Sequence, residues 1–338
     1  MVKVAVNGFG SIGKRVAEAV QKHEQLELVG VAKYTPDIDV KLANLMGINV
    51  FTSNKENFAD IDVAGTLDDM IQQSSIVVDA SPEGKGAKNK QDIYLPNKKA
   101  AVFQGGEDGS VAEMSFNSRS NFDDAKNKDY IRVVSCNTTA YCRILKPVSE
   151  RYKVESVEAF LIRRGSDPAD SKGSQLNSVE WKAKSHHAHD INTVIKNMAI
   201  NSIAFKVPHT LFHVNSALVR FAGEAPEKED ISELFGKESR VAVLDKASNS
   251  AQVMEAARDL NLKRYDTFVV SLLMNTFTSH KNEMFISFLV PQESIVIPEN
   301  IDAIIARSGL MGKDESIRYT DKILGIPKIK SDLEKVFG

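Results

Sequence analysis

The stretch Val2-Lys3-Val4-Ala5-Val6-Asn7-Gly8-Phe9-Gly10-Ser11-Ile12-Gly13-Lys14-Arg15 decides the fold. Val2 to Val6 reads as a short buried strand and Lys14 to Lys22 as an amphipathic helix, so the glycines fall where a strand turns into a helix. That is the setting the dinucleotide fingerprint G-x-G-x-x-G requires. Gly8 permits the tight turn, Gly10 lets a pyrophosphate approach the backbone, and Gly13 lets helix and strand pack closely. The helix N-terminus, with Ser11 and Ile12, then faces the phosphates.

Working outward, Leu26 to Lys33 reads as a second strand, Asp39 to Met46 and Leu67 to Gln73 as helices, and Ile76 to Pro82 as a strand. Lys85 to Leu95 follows as a helix, and Ala100 to Phe103 and Ile131 to Val134 as strands. Strand and helix alternate, which argues for an α/β fold with a doubly wound parallel sheet. Beyond residue 150 the texture changes. Val154 to Arg163, Phe212 to Phe221 and Phe268 to Met274 read as strands, Gly165 to Asp190 as a polar loop, and Ile231 to Phe235 and Ala251 to Leu260 as helices. This pattern suggests an α+β second domain whose sheet faces another subunit, followed by helix from Pro298 to the end.

At 338 residues the chain is comfortable for two domains. Lys+Arg number 43 against Asp+Glu 45, a net charge of -2 that carries no nucleic-acid signature. No apolar run approaches a membrane span, and the N-terminal apolar run is too short for a signal peptide, so a cytoplasmic location is expected. The two cysteines, Cys136 and Cys142, form neither a C-x-x-C redox pair nor a tetrahedral metal site, and no metal is expected.

Cys136 stands where the strand ending Val133-Val134 gives way to a helix, among Ser135, Asn137, Thr138 and Thr139. A thiol at a helix N-terminus feels the positive end of the peptide dipoles, which favours the nucleophilic thiolate. The polar neighbours offer donors for an oxyanion and an anionic substrate. The alternative is a small, inert core residue. A cysteine nucleophile is usually partnered by histidine, and both His209 and His213 are candidates. Arg163-Arg164 and His186-His187 gather donors suited to phosphate, or form a solvated face. At the end of the second strand, Ala32-Lys33-Tyr34-Thr35 carries no acid until Asp37. Lys33 would welcome the 2'-phosphate of NADP, or is simply solvated.

Together with the glycine loop, Ser135-Cys136-Asn137-Thr138-Thr139, Arg163-Arg164-Gly165-Ser166-Asp167-Pro168, His186-His187, Val207-Pro208-His209-Thr210-Leu211-Phe212-His213 and Gln292-Glu293-Ser294-Ile295-Val296-Ile297-Pro298-Glu299-Asn300 resemble the archaeal type of glyceraldehyde-3-phosphate dehydrogenase. The resemblance covers nearly the whole chain. It implies a Rossmann domain over residues 1–135 and 299–338, its C-terminal helices returning to it, and a catalytic domain over 136–298. It also implies NADP or NAD as cofactor, glyceraldehyde 3-phosphate and inorganic phosphate as substrates, and a homotetramer. Carried over by position, it makes Cys136 the nucleophile and His213 the base. Ser135, Cys136, Asn137, His187 and Ala188 would contact substrate, and Ser11, Ile12, Gly106, Arg164 and Gln292 the cofactor. Two anion sites are then needed near the thiol, drawn from Thr138, Thr139, Arg163, Lys172, His186 and His187. His209 stands where the family usually has Thr, Ala188-His189 replaces a usual Gly-Pro, and Pro291 a usual His. Rival readings are a semialdehyde or acyl-phosphate dehydrogenase of similar layout and a non-catalytic NADP-binding regulator.

Overall fold

The structure, a computed structural model, describes residues 1–58, 61–104, 106–165, 177–182 and 185–338. It divides into two compact units, Met1–Ser135 with Ile297–Leu324 and Cys136–Val296 with Gly325–Gly338.

The first unit holds β1 (Val2–Asn7), β2 (Leu26–Ala32), β3 (Val50–Thr52), β4 (Gly65–Thr66), β5 (Ile76–Asp79), β6 (Ala100–Phe103), β7 (Met114–Phe116) and β8 (Tyr130–Val133). They pair in the order β4-β3-β2-β1-β5-β6-β8-β7, and every pairing is parallel. Helices cover the sheet, so its strands read as continuous Val, Ile and Ala runs, as the alternating pattern predicts. Chain order reverses between β1 and β5. In doubly wound sheets that switch point opens a crevice beyond the carboxyl ends of the strands, here at Asn7 and Asp79. Helix Ser11–Gln21 buries Gly13, Val16, Ala17, Ala19 and Val20.

The expected helix from Lys85 to Leu95 is α-helical to Asn89. Lys90–Tyr94 then widens into a π-helical turn, a local under-winding common at functional sites. It accompanies a fully buried Tyr94 that bonds the strand ends.

The second unit contains β9 (Val154–Arg164), β10 (Glu180–Lys182), β11 (Ile200–Val207), β12 (His213–Phe221), β13 (Val241–Leu244), β14 (Val270–His280) and β15 (Glu283–Val290). Their order is β10-β11-β9-β12-β15-β14-β13, a mixed sheet. The sequence reading misses β11, β13 and β15. Its polar loop after Gly165 contains β10 and the start of helix His187–Val194, while residues 166–176 and 183–184 lie outside the described ones. One face of the sheet carries Phe160, Ile162 and Trp181 at 39%, 43% and 73% exposure.

Helix Cys136–Arg151 starts where the sequence places it. Tyr141 Oη donates to the carbonyls of Phe160 and Ser216 at 3.0 and 2.9 Å. Arg143 donates to the carbonyls of Phe268 and Ile295 at 2.7 and 2.9 Å. These bonds fix the helix, and so its first residue, within the unit.

Helices Ile297–Ser308 and Lys313–Leu324 belong to the first unit and Ile326–Phe337 to the second. Gly325, at φ 73, ends that run. The last helix then docks in the second unit through Lys330, whose Nζ donates to the carbonyls of Phe235, Gly236 and Glu238 at 3.1, 2.9 and 2.8 Å. An ammonium there completes the carbonyl end of helix Lys228–Gly236. Among the described residues no helix is long and apolar enough to cross a membrane.

Candidate active site

In the first unit the glycine loop meets the steric demands of its motif. Gly8 sits at φ +107, and a Cβ there would lie 2.6 Å from the Ala80 carbonyl oxygen. A Cβ on Gly13 would lie 2.0 Å from the Gly8 carbonyl oxygen. Neither position admits another residue without moving backbone. Gly10 is the opposite case: it is exposed, and a Cβ on it would meet nothing within 4 Å. It also starts the helix with no side-chain cap and no acid in the first turn. An open helix N-terminus in that state is complementary to phosphate, so the loop fits a dinucleotide pyrophosphate at Gly8, Gly10, Ser11, Ile12 and Gly13.

A buried network missed in the sequence holds the two strand ends around this loop. Asn7 Nδ2 donates to Tyr94 Oη at 2.8 Å, and Tyr94 Oη donates to Asp79 Oδ2 at 2.5 Å. Tyr34 Oη donates to Asn7 Oδ1 at 2.7 Å. Burial and the adjacent Asp79 push the Tyr94 hydroxyl well above its usual pKa, so it stays a donor. Gly106 is exposed just beyond β6.

Lys33 is not the solvated or phosphate-ready cation of the sequence reading. It is buried, and its Nζ contacts Asp37 Oδ2 at 2.5 Å and Asp39 Oδ2 at 3.8 Å. The chain turns at Thr35-Pro36 and brings Asp37 back as the N-cap of helix Ile38–Leu45. The strand end therefore has its acid after all.

In the second unit Cys136 Sγ lies 3.5 Å from His213 Nε2. The structure thus pairs Cys136 with His213, while His209 Nε2 faces Ser250 Oγ at 3.5 Å. The two-residue period of β12 puts His213 and Asn215 on one buried face. Asn215 Nδ2 donates to Asn137 Oδ1 at 3.0 Å, a second tie between strand and helix start that nothing in the sequence marks. Ser135 keeps part of its surface, whereas Asn137 and Thr138 are buried at 2% and 0%.

Two protonation states differ from expectation. Burial pushes the Cys136 thiol up to about 11; the charges of Arg163 and Arg164 and the Asn137 amide oppose this, and Glu293 adds to it. The expected thiolate is therefore a thiol at rest near neutral pH, because desolvation outweighs the helix field. His213 is held well below the usual imidazole range by burial and by Arg164 and Arg163. Its Nδ1 accepts from the Arg164 backbone amide at 3.0 Å, so the neutral ring carries its proton on Nε2, facing sulfur. The expected base thus stands as a hydrogen-bond donor. A lone pair at Nε2 would require a proton on Nδ1, against an amide N–H.

Arg164 Nη1 pairs with Glu293 Oε1 at 2.6 Å and bonds the Thr210 carbonyl at 3.1 Å. Gln292 Oε1 is buried with no protein partner, as are the Nε of Arg163 and the Oδ1 of Asn215. His187 is neutral, held down to about 3 by burial and by His186, Arg163 and Lys182. Ser185 Oγ lies 2.5 Å from its Nδ1, and Ser185 also accepts from the His187 amide at 3.4 Å. His186 stacks on His187 at 4.2 Å, and the Ala188 amide donates to Ser202 Oγ at 3.1 Å. Lys172 lies outside the described residues.

A doubly wound nucleotide-binding unit joined in one chain to a unit carrying a paired cysteine and histidine defines the class, a two-unit nicotinamide-linked oxidoreductase. Residues 135–282 match the family of the glyceraldehyde 3-phosphate dehydrogenase C-terminal domain. Residues 2–105 match that of the dihydrodipicolinate reductase N-terminus. The glyceraldehyde-3-phosphate dehydrogenase of Sulfurisphaera tokodaii is 42% identical over 97% of this chain and 98% of its own. Those of Sulfolobus acidocaldarius and Pyrobaculum calidifontis are each 41% identical, over 97% and 96% of this chain and 98% and 97% of theirs. The chain belongs to the glyceraldehyde-3-phosphate dehydrogenase family.

Proposed function

We propose that the chain is a phosphorylating glyceraldehyde-3-phosphate dehydrogenase, oxidising D-glyceraldehyde 3-phosphate with NAD(P)+ and inorganic phosphate to 1,3-bisphosphoglycerate. The observation that carries the reading is the Cys136–His213 contact of 3.5 Å, with Cys136 in the field of Arg163 and Arg164, in a chain with relatives named glyceraldehyde-3-phosphate dehydrogenase over 97% of its length.

Cys136 loses its proton to solvent, a loss that the charges of Arg163 and Arg164 favour. The thiolate adds to the aldehyde carbon, and the carbonyl oxygen becomes an oxyanion to which His213 Nε2–H donates. When bound, the nicotinamide supplies the hydride acceptor. The carbonyl re-forms as hydride departs, leaving a thioester on Cys136. Inorganic phosphate attacks that carbonyl and expels the thiolate, which Nε2–H again stabilises. Arg163, His187 and the exposed His186 are the described residues we assign to the two anions. Gly8, Gly10, Ser11, Ile12 and Gly13 hold the cofactor phosphates, with Gly106, Gln292 and Arg164 as further contacts.

We also assign a cytoplasmic homotetramer. In support, Phe160 neighbours Ile203, and Ile162 neighbours Phe205 and Val214, across one face of the second sheet. A contiguous apolar face on a monomer marks an interaction site. Ile162→Glu should lower the assembly mass in light scattering; an unchanged mass sets the face aside. For the activity, NAD(P)H formation is followed with glyceraldehyde 3-phosphate and with aspartate semialdehyde. Turnover on the phosphate ester alone, and only with inorganic phosphate present, supports the proposal. Turnover on the semialdehyde alone, or on neither, refutes it.

A further inference from the structure

The end of β2 and the start of the helix at Ile38 carry four alternating charges. Lys33 Nζ lies 2.5 Å from Asp37 Oδ2 and 3.8 Å from Asp39 Oδ2, and Lys14 Nζ lies 2.5 Å from Asp39 Oδ1. The two ammoniums are therefore matched by two carboxylates. Lys33 is the most enclosed of the four, with its side chain at 11% exposure, and Asp37 the most open, at 42%. In doubly wound folds this strand end receives the adenosine ribose, where a carboxylate accepts from a free 2'-hydroxyl and repels a 2'-phosphate.

We propose that Asp37 is the specificity-determining residue for the cofactor's 2'-position, acting by holding Lys33 and presenting a carboxylate where a 2'-phosphate would bind. The proposal rests on the reading of the glycine loop as the cofactor site. Burial alone would raise the Asp37 carboxyl, but the Lys33 ammonium, by hydrogen bond and charge, and the Asp39 and Val40 amides hold it below the usual carboxylate range. It is thus an anion wherever the enzyme works. Its second oxygen is also committed: Oδ1 accepts from the Asp39 amide at 3.0 Å as the helix N-cap. Asp39 stands behind it, fixed by Lys14, so that Lys33 lies between two carboxylates.

A neutral side chain of the same shape would release Lys33 and keep the helix. Asn is as good an N-cap as Asp, so Asp37→Asn preserves the local fold while removing one anion. An ammonium newly available to a phosphate forms a charge-assisted bond, so NADP affinity should rise about tenfold or more relative to NAD. Lys33→Met in the Asp37→Asn background should remove the larger part of that gain, the part that belongs to the freed ammonium, leaving only the relief of repulsion. Asp39→Asn should give a smaller gain in the same direction, since Lys14 would then be the unmatched cation.

Calorimetric titration of the whole protein with NAD and with NADP gives both dissociation constants independently of turnover. The expected result is a Kd ratio, NADP over NAD, that falls about tenfold or more in Asp37→Asn and returns toward wild type in Asp37→Asn/Lys33→Met. NAD binding with an unchanged ratio in Asp37→Asn overturns the proposal while leaving the cofactor reading intact. Failure of wild type to bind either nucleotide overturns the cofactor reading and the proposal with it.

Discussion

Glu293→Gln tests how the site sets the reactivity of its thiol. Glu293 holds Arg164 at 2.6 Å, with side chains at 18% and 3% exposure, and its charge is among the causes that raise Cys136 to about 11. Gln keeps the size and a hydrogen-bonding oxygen but removes the anion that faces Arg164. A unit charge several ångströms away at an effective dielectric of about 20 is worth roughly 2 kcal/mol, and each pKa unit is about 1.4 kcal/mol. The thiol should fall by about one unit, and near neutral pH the thiolate fraction should rise about tenfold. Nucleophilicity falls as a thiolate becomes less basic, with a Brønsted slope of about 0.4–0.5, so alkylation should quicken only about threefold to fourfold. The assay is iodoacetamide labelling of the apo-enzyme over a pH series, read by mass at the Cys136 peptide and compared with circular dichroism to confirm folding. In both proteins the rate should climb as pH rises toward the thiol pKa, with the variant's curve displaced to lower pH. A curve that coincides with wild type, or moves to higher pH, refutes this electrostatic account.

If His213 acts as a donor through Nε2, then His213→Ala should cost about 100- to 1,000-fold in hydride transfer, and His213→Asn, which restores an N–H, distinctly less. Equal losses in the two variants would return His213 to the role of base, and a comparable loss in His209→Thr would place His209 in the site. Cys136 should be alkylated ahead of Cys142, which is buried at 0% exposure; preferential labelling of Cys142 would contradict the assignment. Lys330→Met should lower unfolding stability by roughly 2–4 kcal/mol in chemical denaturation, since it removes a cation bonded to three carbonyls. A loss below about 0.5 kcal/mol would mean those carbonyls are equally well met by water.

The cofactor loop was legible because its constraints are local: the spacing of Gly8, Gly10 and Gly13 is itself the geometry. The same holds for Cys136, whose place at a helix start follows from its immediate neighbours. Tyr94, Asn215 and Glu293 were not legible, since each matters only through a partner distant in sequence: Asn7 and Asp79, Asn137, and Arg164. Lys33 was misjudged for a subtler reason. Its acid arrives four residues later through an N-cap, and a strand end read without the turn after it has no acid. The thiolate expectation failed on magnitude. A helix terminus contributes about 0.3–1 kcal/mol, whereas burial can move a pKa by several units, each about 1.4 kcal/mol. Strands β11 and β15 were missed although their neighbours β9 and β12 were found; β15 is buried almost throughout, so it lacks the alternation that betrays a half-exposed strand.

The central claim, that Cys136 carries the acyl group, is tested most directly by a single-turnover reaction without inorganic phosphate. Enzyme in excess of glyceraldehyde 3-phosphate, with saturating NAD or NADP, should give a burst of reduced cofactor stoichiometric with the aldehyde. After acid quenching, the phosphoglyceroyl mass should be found on the Cys136 peptide. Adding phosphate should then discharge it. A burst that survives in Cys136→Ser, or acyl mass on any other residue, would contradict the account.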